Sequence, residues 1–257
     1  MKHTKKITAL LVLAFLMHQL FGILIISNIS PELGTEYSQN QISQEAIIFP
    51  FFLILASIIF IILSKFRLLI KYWHTFALIL CGFITLSAMI EPVQALILSI
   101  LIIIIKKSTN DPYYNNISEL IIYPSIAIVL LPVLNLFSAI ILLGIISIYD
   151  ILAVYLSKHM IVLAKTQMKE NIFSGIKINY AKESAIIGGG DIAFVMLIVS
   201  LILRDYGVIS SLITAIASSI GLLALLLIAK KKKFYPAMPF LTISSVIGFL
   251  ISAFLTS

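Results

Sequence analysis

Two aspartates lie inside apolar runs of the sequence, where a charged side chain is unfavourable. Asp150 lies in the run 120–156, and Asp191 lies near the head of the run 186–203. One carboxylate at the centre of a membrane helix costs about 2.5 to 3.5 kcal/mol even on the lenient insertion scale, so a pair of them indicates a function. We therefore infer that the two carboxylates face each other and act together.

The chemistry of such a pair follows from its charge. Carboxylates a few ångströms apart in a medium of low dielectric constant cannot both ionise, so the pair holds one proton and titrates as a unit. The ionised member takes a proton from water while the protonated member donates to a carbonyl oxygen, which is how two aspartates hydrolyse a peptide bond. Paired carboxylates inside a membrane also serve proton or cation transport, so both classes stay open here, as does the choice of the protonated member.

The composition predicts the class of fold. The chain has 257 residues, of which 61% are hydrophobic and 11% charged, and its mean hydropathy is +1.13. No soluble core needs so much apolar surface, so we predict an all-α, multi-pass integral membrane protein with a single membrane domain over residues 1–257. The net charge of +7 comes from short lysine clusters between apolar runs, which indicates membrane topology and no nucleic-acid partner.

The apolar runs predict nine transmembrane helices. The run 120–156 would be about 55 Å long as one helix, nearly twice a bilayer core of about 30 Å, so it must hold two crossings with a turn at Pro132 and Asn135. Helices one to six then cover about 7–157, a polar loop covers 158–183, and helices seven to nine cover about 186–255. The helices expected outside the double run are 7–29, 46–64, 72–90, 93–105, 186–203, 208–229 and a last one that ends at Leu255.

The basic residues predict the orientation of these helices. If the amino terminus is inside, all of the 18 Lys and Arg residues except Arg204 fall on the inner side. This distribution predicts a cytoplasmic amino terminus and an external carboxyl terminus. Asp150 then lies eight residues before Lys158, and Asp191 lies eight residues after Glu183. Each carboxylate is therefore about 12 Å from the inner flank on consecutive antiparallel helices, which is the equal depth that a facing pair requires.

Glycines and prolines surround the two candidate regions. Gly188, Gly189 and Gly190 fall in the predicted first turn of helix seven, where glycine destabilises a helix, so we expect them to let another backbone approach Asp191. Plain helix packing through small residues is the alternative. Pro236 precedes the last helix and prevents regular backbone hydrogen bonding at its start, so the irregular backbone there would line a cavity. The alternative is that Pro236 lies in the first helical turn, where a proline is permitted.

Three short motifs resemble the signatures of a known family. Tyr149-Asp150, Gly188-x-Gly190-Asp191 and Pro236-Ala237-Met238 are similar, in order, to the YD, GxGD and PAL motifs of presenilins and signal peptide peptidases. These are intramembrane aspartyl proteases, and the stretches 145–154 and 187–194 look presenilin-like throughout. The predicted helix count and the cytoplasmic amino terminus match presenilins, whereas signal peptide peptidases are inverted. The resemblance implies a presenilin-like prokaryotic or archaeal homologue.

The resemblance also implies roles for individual residues. Asp150 and Asp191 would be the catalytic pair, while Pro236, Ala237 and Met238 would shape the site and receive the substrate. Met238 replaces the usual leucine, a nearly volume-conserving change that leaves its role open. Tyr149 would hydrogen-bond or line the site, or simply pack.

Substrates and partners follow from the same resemblance. Substrates would be transmembrane segments with their amino terminus outside, added as an extended strand to an exposed edge beside helices six, seven or nine. The loop 158–183 is shorter than in animal presenilins, so autoproteolytic maturation of this loop stays open. The oligomeric state and the native substrate stay open.

Other chemistries find no support in the sequence. No H-E-x-x-H zinc motif and no serine-protease motif occurs, and the lone Cys81 excludes a disulfide within the chain, so we expect no metal and no cofactor. His18 and Gln19 indicate a polar contact between helices. Lys230, Lys231, Lys232 and Lys233 predict binding to anionic membrane lipid. A transporter stays the alternative function, although no inverted repeat is evident.

Overall fold

The computed structural model describes residues 4–33, 67–109, 111–155, 174–180, 183–229 and 235–256. The fold of these residues is mostly helical, with one small hairpin. The elements are α1 (Lys5–Leu33), α2 (Arg67–Ser87), α3 (Pro92–Ser108), α4 (Pro112–Ile122), α5 (Pro124–Leu130), α6 (Leu136–Tyr155), β1 (Gly175–Tyr180), β2 (Glu183–Gly188), α7 (Gly189–Ile228) and α8 (Met238–Thr256).

Four of the described helices are long and apolar enough to cross a membrane. They are Lys5–Ile29, Leu136–Tyr155, Gly189–Ile228 and Met238–Leu255. The predicted second helix at 46–64 lies outside the described residues, as do the segment 156–173 and Lys230–Lys233. Nine crossings therefore stay a prediction. The described part of the chain has the mostly helical fold of an integral membrane protein.

A break at Gly207 divides the longest helix. At 1.5 Å per residue, the 40 residues of α7 would extend about 60 Å without a break. Gly207 has a φ of 85° and a ψ of 179°, a conformation that only glycine adopts without strain, and it separates the helical segments 189–206 and 208–228. The predicted end of helix seven at 204–207 and start of helix eight at Val208 are therefore correct.

The double run 120–156 also turns where the sequence predicted. Helix α5 ends at Leu130, and α6 begins at Leu136 after Asn135, whose Oδ1 accepts a hydrogen bond from the Ser138 N–H at 2.8 Å. Arg204 holds this turn from α7 by donating to the carbonyls of Leu131 at 2.5 Å and Leu134 at 3.3 Å. The fifth predicted helix is divided at Pro124, which begins α5 directly after Tyr123.

The predicted start of helix seven at Ile186 is wrong. Residues 183–188 form β2, which pairs antiparallel with β1 in a register that places Gly175 opposite Gly188 and Ile178 opposite Ala185. Gly188 has extended backbone angles of −65° and 146°, so the helix begins at Gly189. Ala185 and Ile187 are buried while Ile186 between them is not, which is the alternation of a strand with one face on the core.

Helix α7 lies at the centre of the core. Its buried residues Ile192, Met196 and Leu197 pack with α1, and its second segment packs closely against α8. A Cβ on Gly248 of α8 would lie 3.0 Å from the Thr214 Cα in α7, so the two helix backbones approach through small residues. This packing holds both ends of α7 and positions the start of the helix, where Asp191 lies.

Candidate active site

Asp150 lies in α6 at the point where this helix meets the start of α8. Its side chain is buried, with 6% of the residue exposed. The carboxylate Oδ2 accepts a hydrogen bond from the Met238 N–H at 3.2 Å. Met238 is the first residue of α8, so its N–H has no acceptor within the helix and a carboxylate is well placed to take it. This bond holds Asp150 against the predicted Pro236–Met238 motif.

Asp191 is the third residue of α7 and lies within electrostatic range of Asp150. The hairpin and the helix together position it, because β2 leads directly into the first turn of α7. Its carboxylate turns back towards Gly188, where a Cβ would lie 3.3 Å from Oδ2. Glycine at position 188 therefore leaves room for the carboxylate itself. The two aspartates that the sequence singled out lie within electrostatic range of each other, and their facing geometry stays a prediction.

Gly189 and Gly190 have different surroundings. The Gly189 N–H donates to the carbonyl of Ser174 at 3.1 Å, and a Cβ at this position would lie 2.7 Å from the Tyr123 hydroxyl. We call residues 188–190 the glycine turn. The backbone that approaches it is therefore the segment before β1, and the Tyr123 ring packs beside that segment. Gly190 is exposed, and a Cβ there would meet only the Phe194 ring at 3.9 Å. Gly190 is therefore the glycine with free space beside its Cα.

The other predicted site residues lie near Asp150. Residues 235–237 are not helical, so Pro236 lies before α8 in irregular backbone and is not in a first helical turn. Pro236 and Met238 are buried, and Ala237 is partly buried. Tyr149 is 50% exposed on the surface of α6. Their functional roles stay predictions.

Of the polar contacts around the aspartates, the one made by Gln19 was predicted from the sequence and the others were not. Ser147, one turn before Asp150, hydrogen-bonds to Thr242 of α8 at 2.9 Å and ties the two helices together. On the other side, Gln19 Nε2 donates to the carbonyl of Ile192 at 3.2 Å, which is the contact between helices that the sequence predicted for this region of α1. A buried ion pair between Lys106 and Glu119, beside Tyr123, was missed entirely.

These observations define a class, a polytopic membrane protein in which α6 and α7 each carry an aspartate and the two lie within electrostatic range of each other. A solved structure described as a presenilin family intramembrane aspartate protease matches with a TM-score of 0.74. The match covers 96% of this chain and 99% of that chain, at 20% sequence identity. Neither a scan against models of protein families nor a search of curated proteins gave a match. The chain therefore has a presenilin-like fold, which confirms at the level of fold the resemblance that the three motifs indicated.

Proposed function

We propose that this protein is an intramembrane aspartyl endopeptidase that hydrolyses peptide bonds of transmembrane segments. The observation that carries the proposal is the convergence of Asp150 and Asp191 from different helices to within electrostatic range, with Asp150 anchored on the Met238 N–H. The presenilin-like fold supports the same conclusion. Two buried carboxylates that interact electrostatically inside a membrane protein are unfavourable when both are ionised, which favours a shared proton.

The proposed mechanism uses both carboxylates and one water molecule. The ionised aspartate takes a proton from the water while the water oxygen attacks the carbonyl carbon of the substrate. The protonated aspartate donates its proton to the carbonyl oxygen, which gives a neutral tetrahedral intermediate. When the C–N bond breaks, the departing nitrogen takes a proton from the protonated aspartate, and one hydroxyl of the intermediate gives its proton to the ionised aspartate. The products are an amine and a carboxylic acid, and the pair again holds one proton. The Met238 N–H keeps one Asp150 oxygen in a fixed orientation through this cycle.

The hairpin suggests where an extended substrate would bind. The Asn116 side chain accepts from the Lys177 N–H at 2.9 Å and donates to the Lys177 carbonyl at 2.8 Å, so it covers the outer edge of β1. Lys177 lies opposite Ile186 in the register, which means that the backbone N–H and C=O of Ile186 point to the outer edge of β2. No described residue pairs with that edge. A substrate strand added to β2 would run towards Gly188 and Asp191.

Substrate orientation and cellular location complete the proposal. The lysine distribution favours a cytoplasmic amino terminus and, by the presenilin resemblance, substrates with their amino terminus outside. Membrane lipid would be the surrounding partner, and the lysines at 230–233 would contact its anionic headgroups.

The decisive experiment measures cleavage of a model transmembrane substrate by purified protein in lipid vesicles. Asp150→Asn and Asp191→Asn should each reduce cleavage below detection, because either change removes the shared proton chemistry. Asp111→Asn is the matched control, since Asp111 caps α4 through the Tyr113 N–H and asparagine caps a helix equally well. Full turnover by either variant would contradict the mechanism. Loss of proton or cation flux in both variants, with no cleavage by the unmodified protein, would favour the transporter.

A further inference from the structure

Two lysines lie close together at one end of the α2 and α3 pair, on helices that carry neither aspartate. Lys71 lies near the start of α2, and Lys107 lies in the last turn of α3. The Thr75 hydroxyl joins them, because it accepts a hydrogen bond from the Lys107 Nζ and donates to the Lys71 carbonyl at 2.6 Å. The two lysines are within electrostatic range of each other. We call Lys71 and Lys107 the lysine pair.

The positive charge of the lysine pair is not neutralised by the described part of the chain. The neighbouring Lys106 forms an ion pair with the buried Glu119, whereas none of the described residues forms an ion pair with Lys71 or Lys107. Like charges held close together repel each other, and an anion bound between them relieves the repulsion. Both lysines are exposed, so such an anion can reach them from outside the protein.

Exposed aromatic side chains beside the lysine pair indicate which kind of anion fits. Tyr72, Trp73 and Phe76 of α2 are each more than half exposed, and the Trp73 and Phe76 ring centroids lie 6.1 Å apart. Tryptophan and tyrosine beside lysines at a helix end are typical of the membrane interface, where the rings lie at the level of the lipid headgroups. An acyl chain would cover these apolar rings, whereas a free phosphate ion would leave them exposed.

We propose that the lysine pair binds the phosphate of an anionic phospholipid, with an acyl chain of the same lipid against the Trp73 and Phe76 rings. The predicted orientation places this end of α2 and α3 at the cytoplasmic leaflet, whose surface is negatively charged. Lysine suits this position because its apolar stem packs along the helix while its ammonium group reaches the headgroups. The site does not depend on the proposed reaction, so either proposal can fail without the other.

The test uses the fluorescence of Trp73, which is the only tryptophan of the chain and therefore reports on this site alone. Bromine atoms near the headgroup end of an acyl chain quench tryptophan emission on contact. Purified protein is placed in vesicles of brominated phosphatidylglycerol diluted with unbrominated phosphatidylcholine, and in vesicles with the bromine on the other lipid. The two quenching curves give the relative affinity for the two lipids. We expect phosphatidylglycerol to be preferred by about 25-fold, since each lysine contributes about fivefold.

Lysine variants show whether the preference comes from this pair. Lys71→Gln and Lys107→Gln should each lower the preference by about fivefold, and the double variant should bind the two lipids almost equally. Lys5→Gln is the matched control, because it removes the same charge from an exposed lysine at the start of α1, on the same predicted side of the membrane. It should leave the preference unchanged.

Three results would overturn the proposal. Equal quenching by the two brominated lipids in the unmodified protein would do so without any variant. A preference that survives in the double variant, or that falls as far in Lys5→Gln as in Lys71→Gln, would show a general attraction to the basic surface. Loss of the preference when inorganic phosphate replaces chloride at constant ionic strength would indicate a site for free phosphate and exclude the lipid.

Discussion

At the residue scale, the three glycines at positions 188–190 have different structural roles because their surroundings differ. Gly188 leaves room for the Asp191 carboxylate, Gly189 leaves room for Tyr123, and Gly190 has an open face. The sequence grouped all three as a place where another backbone approaches. Only Gly189 fits that expectation directly, through its hydrogen bond to Ser174. Packing by small residues, the alternative, also applies to Gly189 but not to Gly190.

Gly189→Ala should therefore lower the free energy of unfolding by about 1 to 3 kcal/mol, the usual cost of an overpacked site. The added Cβ would lie 3.2 Å from the Ser174 carbonyl oxygen as well as against Tyr123, and a backbone atom cannot move aside easily. Gly190→Ala, with only ordinary contact at 3.9 Å, should be at least as stable as the unmodified protein because alanine favours helix. Thermal unfolding in detergent measures both. Equal destabilisation by the two changes would be contrary to these surroundings.

At the element scale, strand β2 of the hairpin leads directly into α7, the helix that carries Asp191. The backbone N–H of Ile186 points to the open edge and bonds to no described residue. Ile186→Pro removes this one donor and keeps the hairpin, since proline is tolerated on the free side of an edge strand. We expect kcat/KM for a transmembrane substrate to fall by about tenfold, in line with a lost backbone hydrogen bond of about 1 kcal/mol plus poorer alignment.

The control for this prediction is Ile187→Pro, which removes a hydrogen bond between β1 and β2 because residue 187 pairs with Ile176. It should lower stability as well as activity, whereas Ile186→Pro should leave thermal stability almost unchanged. Unaltered cleavage by the Ile186→Pro variant would exclude the β2 edge as the substrate site.

The hairpin is also the element that the sequence did not reveal. Ile186 and Ile187 continue an apolar run into the helix, and apolar content alone does not distinguish a buried strand from a membrane helix. The breaks at Gly207 and between Leu130 and Leu136 were predictable, because a run too long for one crossing must turn where glycine, proline or asparagine permits it. The contacts of Glu119 and Tyr123 were not predictable, since residue types do not show that Lys106 of α3 and His18 of α1 pack against the same part of α4.

At the scale of the whole molecule, the fold brings Asp150 of α6 to the start of α8 and to within electrostatic range of Asp191 in the first turn of α7. The three motifs lie on different elements, and the hydrogen bond from the Met238 N–H to Asp150 joins the first motif to the third. The contacts that hold them, such as Ser147 with Thr242 and Gln19 with Ile192, depend on tertiary packing. Residue types alone carry no information about these pairings.

The orientation of the molecule is a separate prediction. With a cytoplasmic amino terminus, Glu91 lies outside, and Ser108 lies inside next to Lys106 and Lys107. In a Cys81→Ala background, Glu91→Cys should react with an impermeant thiol reagent in intact cells, and Ser108→Cys should react only after permeabilisation. Both positions are exposed in the structure, so burial does not limit labelling. The reverse pattern would overturn the orientation and the substrate polarity that depends on it.

The central claim is that Asp150 and Asp191 work as one unit around a single water molecule. The most direct measurement is the binding of a transition-state-analogue aspartyl protease inhibitor, whose hydroxyl replaces that water, to purified protein in lipid. We predict saturable binding that is lost in both Asp150→Asn and Asp191→Asn and retained in Asp111→Asn. Undiminished binding by either aspartate variant, or none by the unmodified protein, would contradict the claim.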